Sequence, residues 1–446
     1  MLIDLLTVEI GSTITKVNGF NGIGTDKIMH VGQGIALTTI DSDVRIGYEN
    51  AKKNLMSNLN VSKLDVNDIV ANSSAAGGLK MVATGLTWEM TARAAKEAAL
   101  GAGAVLKYLT AGPLTQTDLN RIIQANPNMI LFAGGVDYGE QQVVLENAQK
   151  LASLNLNIPI IFAGNKVIED EIKNIFENTS FLLEIVPNVY PSIDEFNIDP
   201  TRKAIQQLFS KHIIHAKGID KLQEIIKKDI IPTPYAVLKI AEALYEKLGD
   251  LVVIDVGGAT TDVHSVTEGS LKYKKLLIAP EPFAKRTVEG DLGVYVNALN
   301  LKKYLDEESI GLDLQKLSAI PQMEEEVYLS LTLADKAVRT AIERHAGQIL
   351  ETFGPDGRKM FIKGKDLTAV KYIIGSGGAL TRLKNAKQIL ENIRITEVYK
   401  KLLPLQTAVV LIDKRYILSA CGTMLDYYKQ DALKLAIQSV EESIEL

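Results

Sequence analysis

Residues 252–263, VVIDVGGATTDV, place an acid at the end of an apolar run, followed by two glycines, two hydroxyls and a second acid. Each part has a use in holding a phosphate. Gly257 and Gly258, with the small Ala259, let backbone N–H groups close on an oxyanion without a bulky side chain in the way. The hydroxyls of Thr260 and Thr261 add donors, and the Asp255 carboxylate suits a hydrated Mg2+ ion. The bland reading of the same residues is a glycine β-turn with an incidental acid.

The logic repeats in residues 9–16, EIGSTITK. Glu9 ends an apolar run, Gly11, Ser12 and Thr13 form a turn, and Lys16 has the charge and reach for a phosphate. A lone copy reads as a hairpin with a polar turn. Two copies, each opening one half of the chain, are what a duplicated clamp on a triphosphate requires. A third stretch, residues 372–380 (YIIGSGGAL), runs from a strand through Gly375, Ser376, Gly377 and Gly378 into a helix, where a flat base and ribose can lie against bare backbone. Taken alone it is equally a dinucleotide-binding turn or a packing turn.

These turns need sheets and helices to hold them. Apolar runs at 5–10 and 14–20 flank the first turn as a hairpin. Residues 91–103 read as an alanine-rich helix and 235–248 as a helix with Val237, Ile240, Ala241 and Leu244 on one face and Gly249 past its end. Between residues 114 and 187, ILFAG at 130–134 returns as IIFAG at 160–164, one strand plus one helix later, the mark of parallel βα units. The expected layout is a first domain at 1–112 and 191–248, interrupted by an inserted α/β subdomain at 113–190, and a second domain at 249–446. Further on, 271–278 reads as a strand, 327–351 as a long helix, 370–374 as a buried strand and 417–430 as a helix.

Composition narrows the setting. The 446 residues, 46% hydrophobic and 23% charged, can bury at least two ordinary cores. With 49 Lys plus Arg against 54 Asp plus Glu there is no positive field to draw nucleic acid or anionic lipid. Cys421 is the single cysteine, which excludes an internal disulfide framework and suits a reducing compartment. Asp4 interrupts the first apolar run, so no signal peptide is expected, and no run approaches the roughly 18 apolar residues of a bilayer span. A cytoplasmic protein follows. The histidines at 30, 212, 215, 264 and 345 lack metal-ligand spacing. His264 reads as a core or surface residue, Cys421 and Trp88 as packed, and Glu441, Glu442 and Glu445 as a solvated tail.

In order along the chain, these motifs resemble the actin, Hsp70 and sugar-kinase superfamily. Phosphate 1 falls at 9–16, connect 1 at 234–248, phosphate 2 at 255–263, the adenosine motif at 375–380 and connect 2 at 419–424. The resemblance implies two ribonuclease-H-like α/β domains around a nucleotide cleft, with ATP and Mg2+ as cofactors. Glu9 and Asp255 would be the metal-holding, catalytic carboxylates.

A closer resemblance is to the GlmL or MutL family associated with glutamate mutase, distinct from the mismatch-repair protein of the same name. It is carried by SSAAGGLKMV at 73–82, FAGGVD at 132–137 and RTVEGDLG at 286–293. It implies an ATP-binding chaperone or reactivating factor, at most a weak ATPase, for the subunits of an adenosylcobalamin-dependent mutase encoded beside it. Phosphate 1 usually begins with Asp. Glu9 shifts the carboxylate by about one C–C bond, roughly 1.5 Å, which implies slow hydrolysis or none. The other readings are a small-molecule kinase, which needs an acceptor-facing Asp base, and a non-hydrolysing scaffold or filament protein. Direct cobalamin contact lacks an Asp-x-His-x-x-Gly signature.

Overall fold

Both acid-bearing glycine turns are the tips of antiparallel hairpins, set in two sheets of the same layout. The computed structural model describes residues 1–74, 79–212, 219–305, 313–354 and 357–441. His215, Glu442, Glu445 and residues 75–78 of the small-residue loop lie outside them. In chain order the strands are β1 (Leu2–Ile10), β2 (Ile14–Asn21), β3 (Met29–Leu37), β4 (Asp65–Ser73), β5 (Lys80–Gly85), β6 (Val105–Ala111), β7 (Met129–Phe132), β8 (Pro159–Phe162) and β9 (Leu182–Ile185). They continue as β10 (Ile230–Pro232), β11 (Leu251–Val256), β12 (Thr261–Val266), β13 (Ala284–Glu289), β14 (Gln348–Gly354), β15 (Gly357–Lys363), β16 (Tyr372–Ser376) and β17 (Val409–Ile412).

The first sheet runs β10-β4-β1-β2-β3 and the second β17-β16-β11-β12-β13. In each, a parallel trio is followed by two strands that alternate in direction. This is the ribonuclease-H-like order, duplicated, so the actin-like α/β fold follows from topology alone. Helices Thr233–Leu248 and Leu418–Met424 join the two sheets in one core, where Val237, Ile240 and Met424 pack with Leu5 and Val70 of the first sheet and Val253 and Ile374 of the second. Cys421 is buried there. The two helices approach so closely that a Cβ on Gly422 would lie 1.8 Å from the Ala236 carbonyl oxygen. Gly422→Val is therefore expected to lower the stability by about 3 kcal/mol or more, read as a fall in the urea midpoint.

The chain forms two compact units, Met1–Ala76 with Ala216–Leu446, and Gly77–His215. The second carries an all-parallel sheet ordered β6-β5-β7-β8-β9, with the ILFAG and IIFAG repeats as neighbouring strands β7 and β8. Met129 and Leu131 face one helical layer and Ile130 and Phe132 the other, which is why these strands read as unbroken apolar runs. The insert starts earlier than residue 113, because β5 and β6 belong to its sheet, and it ends later than residue 190, because Ala204, Ile205 and Phe209 pack in its core. Nothing local in residues 80–111 distinguishes a strand of the insert from one of its host.

Four element readings change. Residues 271–278 open as a one-turn helix, Leu271–Lys274, with Leu271 exposed, so their apolar spacing is not that of a strand. The long helix is Glu324–His345, since residues from Gln348 onward pair with β15. Residues 417–430 divide between the helices Leu418–Met424 and Lys429–Glu441. The alanine-rich helix starts with a wide turn at Trp88–Ala92, and Trp88 is exposed instead of packed. Among the described residues no helix is long and apolar enough to cross a membrane.

Candidate functional site

Antiparallel pairing puts residues opposite one another on the same face of a sheet, and this assembles the site. Asp255 at the end of β11 pairs with Asp262 on β12, and Glu9 at the end of β1 pairs with Lys16 on β2. Three of the carboxylates nearby have partners. Asp262 accepts from Arg286 Nε at 2.8 Å and from Thr260 Oγ1 at 2.9 Å, and Arg286 is itself buried. Glu9 is paired with the Lys16 ammonium at 3.0 Å and accepts from Ser419 Oγ. Asp413 accepts from the backbone N–H groups of Ile417 and Leu418, at 3.1 and 2.9 Å, where the helix Leu418–Met424 begins.

Asp255 carries the strain of this crowd. Desolvation, then Asp262 and Glu9, push its carboxyl from 3.8 up to about 7, against the pull of Lys16. A carboxyl in that position is a place where an added cation is strongly favoured.

The two turns meet over it. Gly11 N–H donates to Ile14 O at 3.0 Å and Gly257 N–H to Thr260 O at 2.9 Å, so the turns close alike. A Cβ on Gly258 would sit 2.5 Å from Thr13 Oγ1, so only glycine lets the two tips approach. That Thr13 hydroxyl is buried without a protein partner. Gly377, at φ +85°, lies where a Cβ would be 2.6 Å from Asp255 Oδ1, which brings the third glycine motif against the second.

Of the residues singled out in the sequence, Glu9, Gly11, Ser12, Thr13, Asp255, Gly257, Gly258, Ala259, Thr260 and Gly378 line one cleft. The other five support it from behind. Lys16 is fully buried, with its ammonium 3.2 Å from the centre of the Tyr416 ring. Thr261 Oγ1 donates to Leu292 O at 2.7 Å. Gly375 gives room to the side chains of Leu390, Ile412 and Leu380, and Ser376 Oγ donates to Asp413 at 3.4 Å.

The cleft also holds residues that sequence reasoning did not select as its own. Asp262 was legible, because positions 255 and 262 are equidistant from the centre of the turn. Arg382 lines the cleft one turn beyond Gly378 and donates to Gln33 Oε1 on β3, a contact from the segment after β16 to the first sheet that no local pattern signals. His264, on the Asp262 face of β12, is fully buried at the cleft wall and held neutral, its pKa pushed by desolvation down to about 3.

The donor set fits a hydrated Mg2+ with a polyphosphate. Such an ion takes one or two carboxylates, keeps several waters and completes its shell with phosphate oxygens. Asp255, next to Glu9, offers that number. The orphan Thr13 hydroxyl and the paired glycine turns offer donors beside it.

Comparison with known proteins gives a consistent relationship. The family model described as MutL protein matches residues 5–440. The chain is 37% identical to Protein MutL of Clostridium tetanomorphum, over 96% of this chain and 97% of that one. Among solved structures it is similar to nucleotide-free acetone carboxylase, at 12% identity and TM-score 0.39, over 94% of this chain and 70% of that one. It is also similar to the nucleotide-free diol dehydratase-reactivating factor, at 10% identity and TM-score 0.37, over 95% and 99%. At such scores neither adds to what the strand order defines.

Proposed function

Since this chain belongs to the MutL protein family, we propose that it binds ATP with Mg2+, hydrolyses it weakly, and works as a chaperone or reactivating factor for an adenosylcobalamin-dependent mutase. The observation that carries the nucleotide part is the meeting of two acid-bearing glycine turns around Asp255, whose carboxyl is pushed up to about 7 by desolvation and by the carboxylates beside it. The mutase part is supported by the family alone.

In this reading Gly11 to Thr13 and Gly257 to Thr260 hold the phosphates, and Asp255 with Glu9 holds Mg2+. When bound, the ion supplies charge neutralisation of the phosphoryl oxygens. Asp262, held in place by Arg286, accepts from Thr260 of the same turn. Arg382 and Tyr416 form part of the wall for the rest of the ligand. The close crossing at Gly422 and Ala236 is the joint about which opening and closing would occur.

Glu9 sets the rate. Lys16 and Ser419 both engage its Oε2, drawing charge away from the position where a water must be activated. Turnover well below 1 per second is the expected result, measured as phosphate release beside calorimetric ATP binding and recovery of an inactivated mutase. ATP binding without mutase recovery removes the chaperone reading. The same ion pair favours a second reading, a non-hydrolysing scaffold, which predicts ATP-dependent growth in sedimentation coefficient without phosphate release.

A further inference from the structure

The inserted unit displays a surface that the nucleotide site does not explain. Because all five of its strands are parallel, the loops after β5, β7, β8 and β9 emerge at one edge of the sheet. Each of these four loops exposes one large apolar side chain: Trp88 at 59%, Tyr138 at 74%, Val167 at 42% and Ile193 at 72%. Four of the five loops at this edge, all but the one after β6, carry such a residue, more than the single scattered apolar side chains of an ordinary surface.

The loops are braced. Asn165, fully buried, accepts from the N–H groups of Tyr138 and Val167, both at 3.1 Å. Buried Asn188 donates to Gly135 O at 3.1 Å and to Asp137 Oδ1 at 2.9 Å. Lys166 lies 4.8 Å over the Tyr138 ring, and Arg93 lies 5.7 Å over the ring of Phe196 in the last loop. Tyr138 holds φ +61°, a left-handed conformation costly for an aromatic residue. The chain thus fixes this ring outward instead of letting it fold back.

Charge names the partner. Glu89, Glu140, Asp194 and Glu195 are exposed on the same loops, and Asp170, paired with Lys173 at 2.8 Å, on the helix that follows β8, while Lys166 is paired with Asp137 at 3.3 Å. We propose that this edge is a docking surface for a protein that presents apolar side chains ringed by Lys and Arg. The acids steer the approach and the four apolar side chains hold the complex. The proposal rests on the reading of the chain as a reactivating factor, and identifies where it grips its client.

The test uses the full chain, with a purified adenosylcobalamin-dependent mutase as the probe. Trp88 is the single tryptophan, so 5-fluorotryptophan gives one 19F signal that reports this edge alone. The expected result is a shifted signal on complex formation and binding at least about ten-fold weaker for Trp88→Ser with Tyr138→Ser and for Glu89→Lys with Asp194→Lys. ATP affinity is unchanged in both variants. Ile123→Ser, at the far end of the helix Gln116–Ala125, binds as wild type. Wild-type affinity in the edge variants, with an unmoved 19F signal, overturns the docking surface and leaves the client reading intact. A wild-type chain that does not bind the mutase overturns both.

Discussion

Asp255→Asn is expected to abolish Mg2+-dependent ATP binding while making the nucleotide-free protein more stable at pH 8. The first effect follows from removing the carboxylate that the two turns converge on. A loss of at least about 100-fold in affinity is expected by calorimetry, since a buried site built for a charged group tolerates its neutral isostere poorly. The second follows from the sign of the pKa shift. The folded-state carboxyl is raised from 3.8 to about 7, so between pH 4 and 7 the folded protein keeps a proton that the unfolded chain has lost. Stability therefore falls as pH rises through that window, and above pH 7 the penalty is fully present.

Asn carries no such penalty. At roughly 1.4 kcal/mol per pKa unit, the gain from Asp255→Asn at pH 8 is on the order of 2–4 kcal/mol, and it vanishes at pH 4. Thermal melts of both proteins at the two pH values measure it. Equal destabilisation at both pH values would mean that Asp255 is a structural acid with a partner, and that the cation site is misassigned.

Lys16→Met is expected to cost roughly 3–5 kcal/mol, because it leaves Glu9 charged and buried without its counter-ion and removes the cation that restrains Asp255. The double variant Lys16→Met with Glu9→Gln should recover most of that stability, since both charges then leave together. Urea unfolding of the four-member cycle gives the coupling directly. A lysine that grips phosphate behaves otherwise: its loss lowers ATP affinity, leaves the apo protein stable, and is not rescued by Glu9→Gln. The placement of Lys16 behind Glu9, over the Tyr416 ring, predicts the first pattern.

The sequence by itself determined the elements that depend on short spacing. A glycine turn between two apolar runs forces a hairpin, so both tips, at Gly11 and Gly257, and the acids beside them, Glu9 and Asp255, were legible. The thirty-residue repeat specified parallel neighbours, and β7 and β8 are such a pair. The helix at Thr233–Leu248 was legible because its apolar face has helical period and Gly249, at φ +80°, ends it.

Only the tertiary structure decided which of these residues face the cleft. Thr261 and Gly375 belong to the right motifs, but strand alternation turns them to the other face, and Lys16, on the same face as Glu9, is covered by the Tyr416 ring. The boundary of the inserted unit was likewise set by sheet membership, a long-range property that residues 80–111 carry no local sign of. Asp255 acquired its raised pKa from desolvation and from groups 7, 246 and 158 positions away in the chain, Asp262, Glu9 and Asp413. Electrostatic crowding of that kind arises when separate segments are folded together and desolvated, so no spacing in the sequence records it.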